Sequence, residues 1–365
     1  MTQIKDIIAV LENFAPSAYR EDYDNTGLLT GDADQQVSGI LITLDTTEEV
    51  VEEAIKNRCN LIISHHPVIF RGLKKLTGSN YVERTVIKAI QNNVAIFATH
   101  TNLDNVSKGV NFKIAEKLGL KNIRILAPKK HLLKKMVTFI PVNDTERVMQ
   151  GLYKAGGGNI GNYSNCSFQL QGTGTFKPDE EANPTIGQPG KQEYVTETRA
   201  EVIFPSYLEN QIIKALRTHH PYEVPAFDIN LLENENPEIG SGVIAEPEQI
   251  KEIGSFLREV KEKLNIPLIR HTRFLPQKVE KVAICGGSGS FLLPQAIKNG
   301  CQVFISSDFK YHEFFDAENK TVIADIGHYE GEVFTKELIS DILRKKFSNI
   351  ALVLSNINTN PISYL

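Results

Sequence analysis

The chain has 365 residues, a net charge of −4 and a pI near 6.2. Its length is long for one hydrophobic core and favours two or three domains. The slightly acidic balance argues against a nucleic-acid partner, which would need a basic face. Apolar residues at 41% and charged residues at 23% are those of an ordinary globular protein. No apolar run approaches the roughly 18 residues of a membrane span. The opening MTQIKDIIAVLENF lacks the unbroken apolar region and cleavage site of a signal peptide. Cys59, Cys166, Cys285 and Cys301 form no CxxC pair, so neither a zinc ribbon nor a disulfide framework is indicated. The expected location is the cytoplasm, with free thiols.

Strand and helix signals alternate through the first 130 residues. GILITLD (39–45) reads as a buried strand, followed by a helix whose Thr46 and Glu49 have capping-box spacing. NLIIS (60–64) is a second strand, ending at His65. The helix YVERTVIKAIQNN and a third strand, VAIFAT (94–99), lead to His100. Such alternation predicts right-handed crossovers and a mostly parallel sheet.

Residues 131–235 change character. Strand KKMVTFIPV, helix DTERVMQGLYKAG, strand NYSNCSFQLQGTGTF, a Pro- and Gly-rich loop, strand RAEVIFPS, helix YLENQIIKALRTHH and strand VPAFDINLL follow in turn. That order is the split-βαβ, ferredoxin-like pattern, an α+β module with its own small core. Residues 236–365 then resume the α/β rhythm. KVAIC precedes GGSGS and a helix. QVFISSD (302–308), TVIADI (321–326) and IALVLS read as strands, and EVFTKELISDILRKKF as an amphipathic helix. The expected division is therefore 1–130, 131–235 and 236–365, with the outer two segments forming an α/β body or a tandem pair.

The tripeptide His-His-Pro occurs twice among only nine histidines. In open parallel sheets, ligands bind beyond the carboxyl ends of the strands. His65 and His66 sit there, and Pro67 stops the strand. Two partly exposed histidines at a strand end would be the plain alternative. The next strand, however, ends in HTNLDN, placing His100 and Asp104 at the same sheet edge. In the other half, ADIGHYEGE puts His328 and Glu332 at i,i+4, on one face of a starting helix. An exposed first turn with a dipole-favoured Glu would explain that pair taken alone. His65, His66, Asp104, His328 and Glu332 are too many ligands for one tetrahedral zinc. They suit two divalent metals about 3.5–4 Å apart, bridged by a carboxylate and a water or hydroxide. Zinc is the first expectation, manganese or iron the alternatives.

These elements resemble the Nif-three-like family, often labelled GTP cyclohydrolase I type 2 homologues. The matching stretches are YDNTGLLTGD (23–32), LDTT (44–47), SHHPVIF (64–70), ATHTNLDN (98–105), ICGGSGS (284–290), SDFKYHE (307–313) and GHYEGE (327–332). The resemblance implies a dinuclear centre held by the five residues above, and a ring-shaped homohexamer with its metal sites facing an internal cavity. It also implies a PII/CutA-like insert at 131–235. Tyr23, where the family has Trp, and Ser306-Ser307, in place of Thr-Gly, depart from the pattern without touching a proposed ligand.

The second pair, His219-His220, ends a helix in the middle segment, where donors favour the C-terminus. A structural role is expected there, a second ligand site or oligomer contact being the alternative. Asp308 and His312, at i,i+4, are second-tier candidates to orient ligands or act as an acid–base pair. Capping by Asp308 with a surface His312 would be equally ordinary. CGGSGS and AGGGNIGNY (155–163) read as a tight turn and a flexible connection. Asp24, Asn25 and Asp45 would line the cleft or cap turns.

A two-metal centre activates water at neutral pH and polarises a carbonyl, amidine or phosphoryl oxygen. The expected activity is thus metal-dependent hydrolysis of a nucleotide or related small molecule, with GTP implied by the family label. The competing reading is a non-catalytic metal-loaded regulator or scaffold whose insert senses a small ligand.

Overall fold

The computed structural model describes residues 2–365. The chain divides into two compact units, one made of residues 1–127 and 238–365, the other of 128–237.

The first unit contains two main sheets, one built mostly from the N-terminal part of the chain and one mostly from the C-terminal part. The five-stranded sheet has the order Gly27–Thr30, Ala95–Ala98, Leu61–Ser64, Ile40–Thr43, Leu352–Leu354. All neighbours are parallel except the Gly27–Thr30 edge. Its three central strands are buried throughout, which is why they read as unbroken apolar runs rather than alternating ones. Helices Glu48–Lys56 and Tyr81–Gln91 bury Val50, Val51, Val86 and Ala89 against Leu41, Ile62 and Ile96. Thr43 pairs with Ser64 and Ser64 with Ala98. That register brings three consecutive strands to their carboxyl ends in one row. Leu44-Asp45, His65-His66 and Thr99-His100 leave the sheet side by side.

The second sheet has the order Arg270–His271, Val322–Asp325, Val303–Ser307, Val282–Ser288, Asn236–Glu246, Lys121–Lys129. Its three middle strands run parallel, Arg270–His271 runs antiparallel to Val322–Asp325, and Asn236–Glu246 runs antiparallel to Val282–Ser288. The strand Val322–Asp325 runs into Gly327 and the short helix His328–Glu332.

Three local features differ from the sequence reading or lie outside it. The terminal strand, Leu352–Leu354, read only as a strand, joins the N-terminal sheet beside Ile40–Thr43. The first crossover helix is capped by Thr47, whose side chain accepts from Val50 N, so Thr46 and Glu49 form no capping box. Strands Lys121–Lys129 and Asn236–Glu246 and helix Ile253–Lys263 escape the sequence reading. The first two hold charged residues, asparagines, prolines or glycines that a lone strand signal does not predict.

The second unit is a four-stranded antiparallel sheet in the order Phe168–Phe176, Glu193–Pro205, Leu133–Pro141, Phe227–Leu231. Each of its helices, Thr145–Lys154 and Glu209–His219, links two strands that flank a third, which is split-βαβ connectivity. The helices cover one face and bury Met136, Ile140, Val148, Val202, Phe204 and Leu216.

Candidate metal centre

Four histidines from two sheets converge in the first unit, and each is oriented the same way. His65 Nδ1 lies 2.9 Å from the Thr99 carbonyl. His66 Nδ1 lies 2.7 Å from Asp45 Oδ1, His100 Nδ1 2.8 Å from Asp24 Oδ1, and His328 Nδ1 2.7 Å from Asp308 Oδ2. An oxygen acceptor at Nδ1 draws the proton there and leaves Nε2 as the ligating atom, the usual outer-shell arrangement of metal-binding imidazoles. The rings gather accordingly, with His66 4.9 Å from His65, 5.3 Å from His100 and 5.2 Å from His328 between centroids.

Glu332 stands in the middle and is 3% exposed. Its Oε2 lies 2.9 Å from His66 Nε2 and 3.1 Å from His328 Nε2. Its Oε1 lies 3.8 Å from His65 Nε2, which is in turn 3.6 Å from Asp104 Oδ1. Those last two separations are too long for hydrogen bonds. His65 Nε2 and Asp104 Oδ1 are accordingly buried without any partner. Two adjacent, orphaned buried ligand atoms are what a site shaped for a cation presents. Ligand atoms about 2.1 Å from a tetrahedral ion stand about 3.4 Å apart, close to the separations here. Three sets, His65–Asp104–Glu332, His66–His328–Glu332 and His65–His66–His100, each bring their ligand atoms within 4.8 Å, and each could hold a metal ion.

Burial and neighbouring charge set the protonation of these groups. Burial holds the His65 imidazole down at about 4, so it is neutral at pH 7. Burial also disfavours charge on His66 and His328, but Asp45, Asp308 and Glu332 outweigh it and raise them to about 9 and about 11. Burial and then the charge of Glu332 push Asp104 well above the usual carboxylate range. Burial works against the Glu332 carboxylate too, yet three imidazoles hold it well below that range.

The local sequence builds this packing. Gly287, at φ +62°, leaves the space that Glu332 fills, since a Cβ there would stand 2.3 Å from Oε1. Ser306 Oγ and Ser307 Oγ donate to the Gly287 carbonyl at 3.1 and 2.5 Å and pin that turn. CGGSGS thus makes room for a carboxylate. Thr359 Oγ1 donates to Asp45 Oδ2 at 2.6 Å, bringing the C-terminal tail to the rim. A cavity of about 510 Å³ opens over the cluster, walled by Tyr23, Phe70, Phe291 and Tyr329.

His65, His66, Asp104, His328 and Glu332 are all brought together. Asp308 is there as well, but on the outer side of His328. His312 is not: it is exposed, packs on Tyr311 and Phe315, and does not line the cavity. The chain between Asp308 and His312 is not α-helical; the residues after Lys310 form a 3₁₀ helix, Tyr311–Ala317, so i,i+4 spacing does not align them. Asp24 and Asp45, expected only to line the cleft or cap turns, hold His100 and His66. The signal available was their position near strand ends, which turn residues share.

The second His-His-Pro is occupied differently. His219 Nδ1 bonds the Ala215 carbonyl one turn back at 2.9 Å. His220 bridges the Phe139 carbonyl, 2.9 Å from Nε2, and the Tyr222 amide, 3.1 Å from Nδ1. Both rings do structural work within the second unit.

Fold and cluster together define a two-sheet α/β protein with a buried His/Asp/Glu centre able to hold a metal ion. The model of the Duf34/NIF3 (NGG1p interacting factor 3) family matches residues 2–361, and the chain belongs to that family. It is 39% identical over 368 residues to a GTP cyclohydrolase 1 type 2 homolog of Staphylococcus aureus, with 100% of both chains covered. A Bacillus cereus protein related to NIF3 superposes with a TM-score of 0.87 at 37% identity, covering 100% of this chain and 99% of that one. A Staphylococcus aureus structure gives 0.80 at 33% identity with the same coverage. Among the described residues no helix is long and apolar enough to cross a membrane.

Proposed function

We propose that the centre holds two divalent ions and that the protein is a metal-dependent hydrolase of a nucleotide or related small molecule. One ion would take His65, Asp104 and Glu332 Oε1, the other His66, His328 and Glu332 Oε2. The observation that carries this reading is the common orientation of four imidazoles, every Nδ1 held by an oxygen. Zinc suits the mixed imidazole and carboxylate set, with manganese or iron as alternatives. Such ions supply Lewis-acid activation of an electrophilic oxygen and of water.

The chain's own residues would do the rest. Asp45 and Asp308 hold His66 and His328 in place, Asp24 holds His100, and aromatic side chains wall a cavity of about 510 Å³, within the range of small-molecule sites. His312 is left without a part in this chemistry. The names of the relatives support GTP as the first substrate to try. The body would comprise 1–130 and 236–365 and assemble as a homohexamer. The segment 131–235 would be a ferredoxin-like, PII/CutA-like module, a reading supported by its strand order. Its separate core also supports the second reading, a metal-loaded regulator with a sensing insert.

The test is protein loaded with zinc or manganese and assayed on GTP and a generic phosphodiester. Turnover that disappears in His65→Ala and Glu332→Ala supports the hydrolase. Full metal occupancy without turnover on a broad panel overturns it in favour of the regulator. Light scattering checks the hexamer.

A further inference from the structure

The second unit contains a cavity of about 670 Å³, separate from the metal centre, with an unusual polar group in its wall. Glu197, on the strand Glu193–Pro205, is only 7% exposed. Its Oε1 accepts from the Tyr222 hydroxyl at 2.8 Å, and among the described residues Oε2 has no donor. Among the described residues no lysine or arginine pairs with it, although Lys177 and Arg199 also line the cavity. The nearby Arg199 is taken up by Glu201, donating from Nε at 3.1 Å and Nη2 at 2.9 Å. The carboxylate lines the cavity with one neutral partner, and a cation there can pair with its other oxygen.

The surroundings are built around that group. Gly174, on the neighbouring strand, must be glycine for Glu197 to sit there, since a Cβ would stand 1.9 Å from Oε2. Phe176 and Tyr222 meet edge to face, 5.7 Å between centroids, and Phe139 completes an aromatic wall. The second His-His-Pro now has a purpose: His220 fixes Tyr222 through its amide and ties it to the Phe139 carbonyl. Thr185 Oγ1 donates to the Pro221 carbonyl at 2.7 Å, fastening the loop of residues 177–192 beside the opening.

We propose that this cavity binds a small organic cation, a protonated amine or amidine on a flat apolar body, whose N–H donors pair with Glu197 Oε2. Aromatic faces attract cations, and a carboxylate makes charge-assisted bonds to N–H donors. The volume lies in the range of sites for drug-sized ligands. The site does not depend on the metal reading, because no residue is shared.

The test is calorimetric titration of the full-length protein with benzamidine and spermidine, with benzoate as the charge-reversed control. At least one cation saturates the wild type at one per chain while benzoate does not bind. Glu197→Gln, which keeps an acceptor for Tyr222, weakens that binding about tenfold or more, and Tyr222→Phe weakens it less. Metal content is unchanged in both variants, which separates this result from the fate of the metal centre. Should Glu197→Gln not fold, Val224→Lys, at the exposed mouth, must weaken the same binding. Absence of saturation by either cation, equal binding by the Gln variant, or equal binding of benzoate overturns the proposal.

Discussion

His66 Nε2 and Glu332 Oε2 meet at 2.9 Å although 266 residues separate them in the chain. One leaves the carboxyl end of a strand in the N-terminal sheet, the other lies on a short helix that follows a strand of the C-terminal sheet. The contact therefore closes the first unit across its two sheets. It brings opposite charges together against the effect of burial, Asp45 and Glu332 raising His66 to about 9 and the imidazoles holding Glu332 low.

Metal content should track the two ligand sets. Dialysed wild type is expected to carry about two ions per chain, measured by plasma mass spectrometry, and Asp104→Ala fewer. Asp308→Ala touches only the far nitrogen of His328 and should weaken metal affinity about tenfold to a hundredfold without unfolding the chain. Unchanged content in Asp104→Ala would remove that carboxylate from the centre.

Gly287 and Gly300 offer a matched pair. Both have left-handed backbone, φ +62° and +69°, but a Cβ at 300 meets nothing within 4 Å while one at 287 runs into Glu332. Gly300→Ala should cost only the backbone term, about 1 kcal/mol, with metal content intact. Gly287→Ala should lose more stability and lose metal as well. Equal effects on thermal unfolding and metal content would show that the turn matters only as backbone.

Much of this centre was legible because parallel sheets impose a rule: apolar runs end at a common edge, so chemical groups just after them become neighbours. LIIS before His65-His66 and VIAD just ahead of Gly327-His328 follow that rule. What stayed hidden was pairing between distant segments. Nothing local says that LVL at 352–354 belongs beside ILIT at 40–43, since three apolar residues fit either sheet. The same holds for Asp24 and Asp45, whose partners are set by register rather than by spacing. For His312 an i,i+4 pattern was read where the backbone takes a tighter turn, and its side chain stands outside the cavity.

The two His-His-Pro motifs should separate cleanly under mutation. His220→Ala strands the Phe139 carbonyl and the Tyr222 amide, so the second unit should lose about 1–3 kcal/mol in denaturant titration while metal content stays. His66→Ala should do the reverse, lowering metal content with the second unit intact. Loss of metal in His220→Ala would mean that the motif serves the centre after all.

Glu83 carries a pH signature far from any proposed ligand. Its carboxylate accepts from the backbone amides of Thr77 and Ser79, at 2.9 and 3.1 Å, from both of their hydroxyls, and from Asn80 Nδ2. The amides of Thr77 and Ser79 are the leading causes that bring it down to about 2 from the ordinary 4.5. A depressed carboxylate binds fewer protons folded than unfolded, so its contribution is complete above the unfolded value and fades as pH falls from about 4.5 toward 2. Glu83→Gln should therefore lower the urea midpoint at pH 7 and at pH 5 alike, and the gap to wild type should narrow at pH 3. A gap that stays constant over that range would assign the loss to Gln geometry in place of charge.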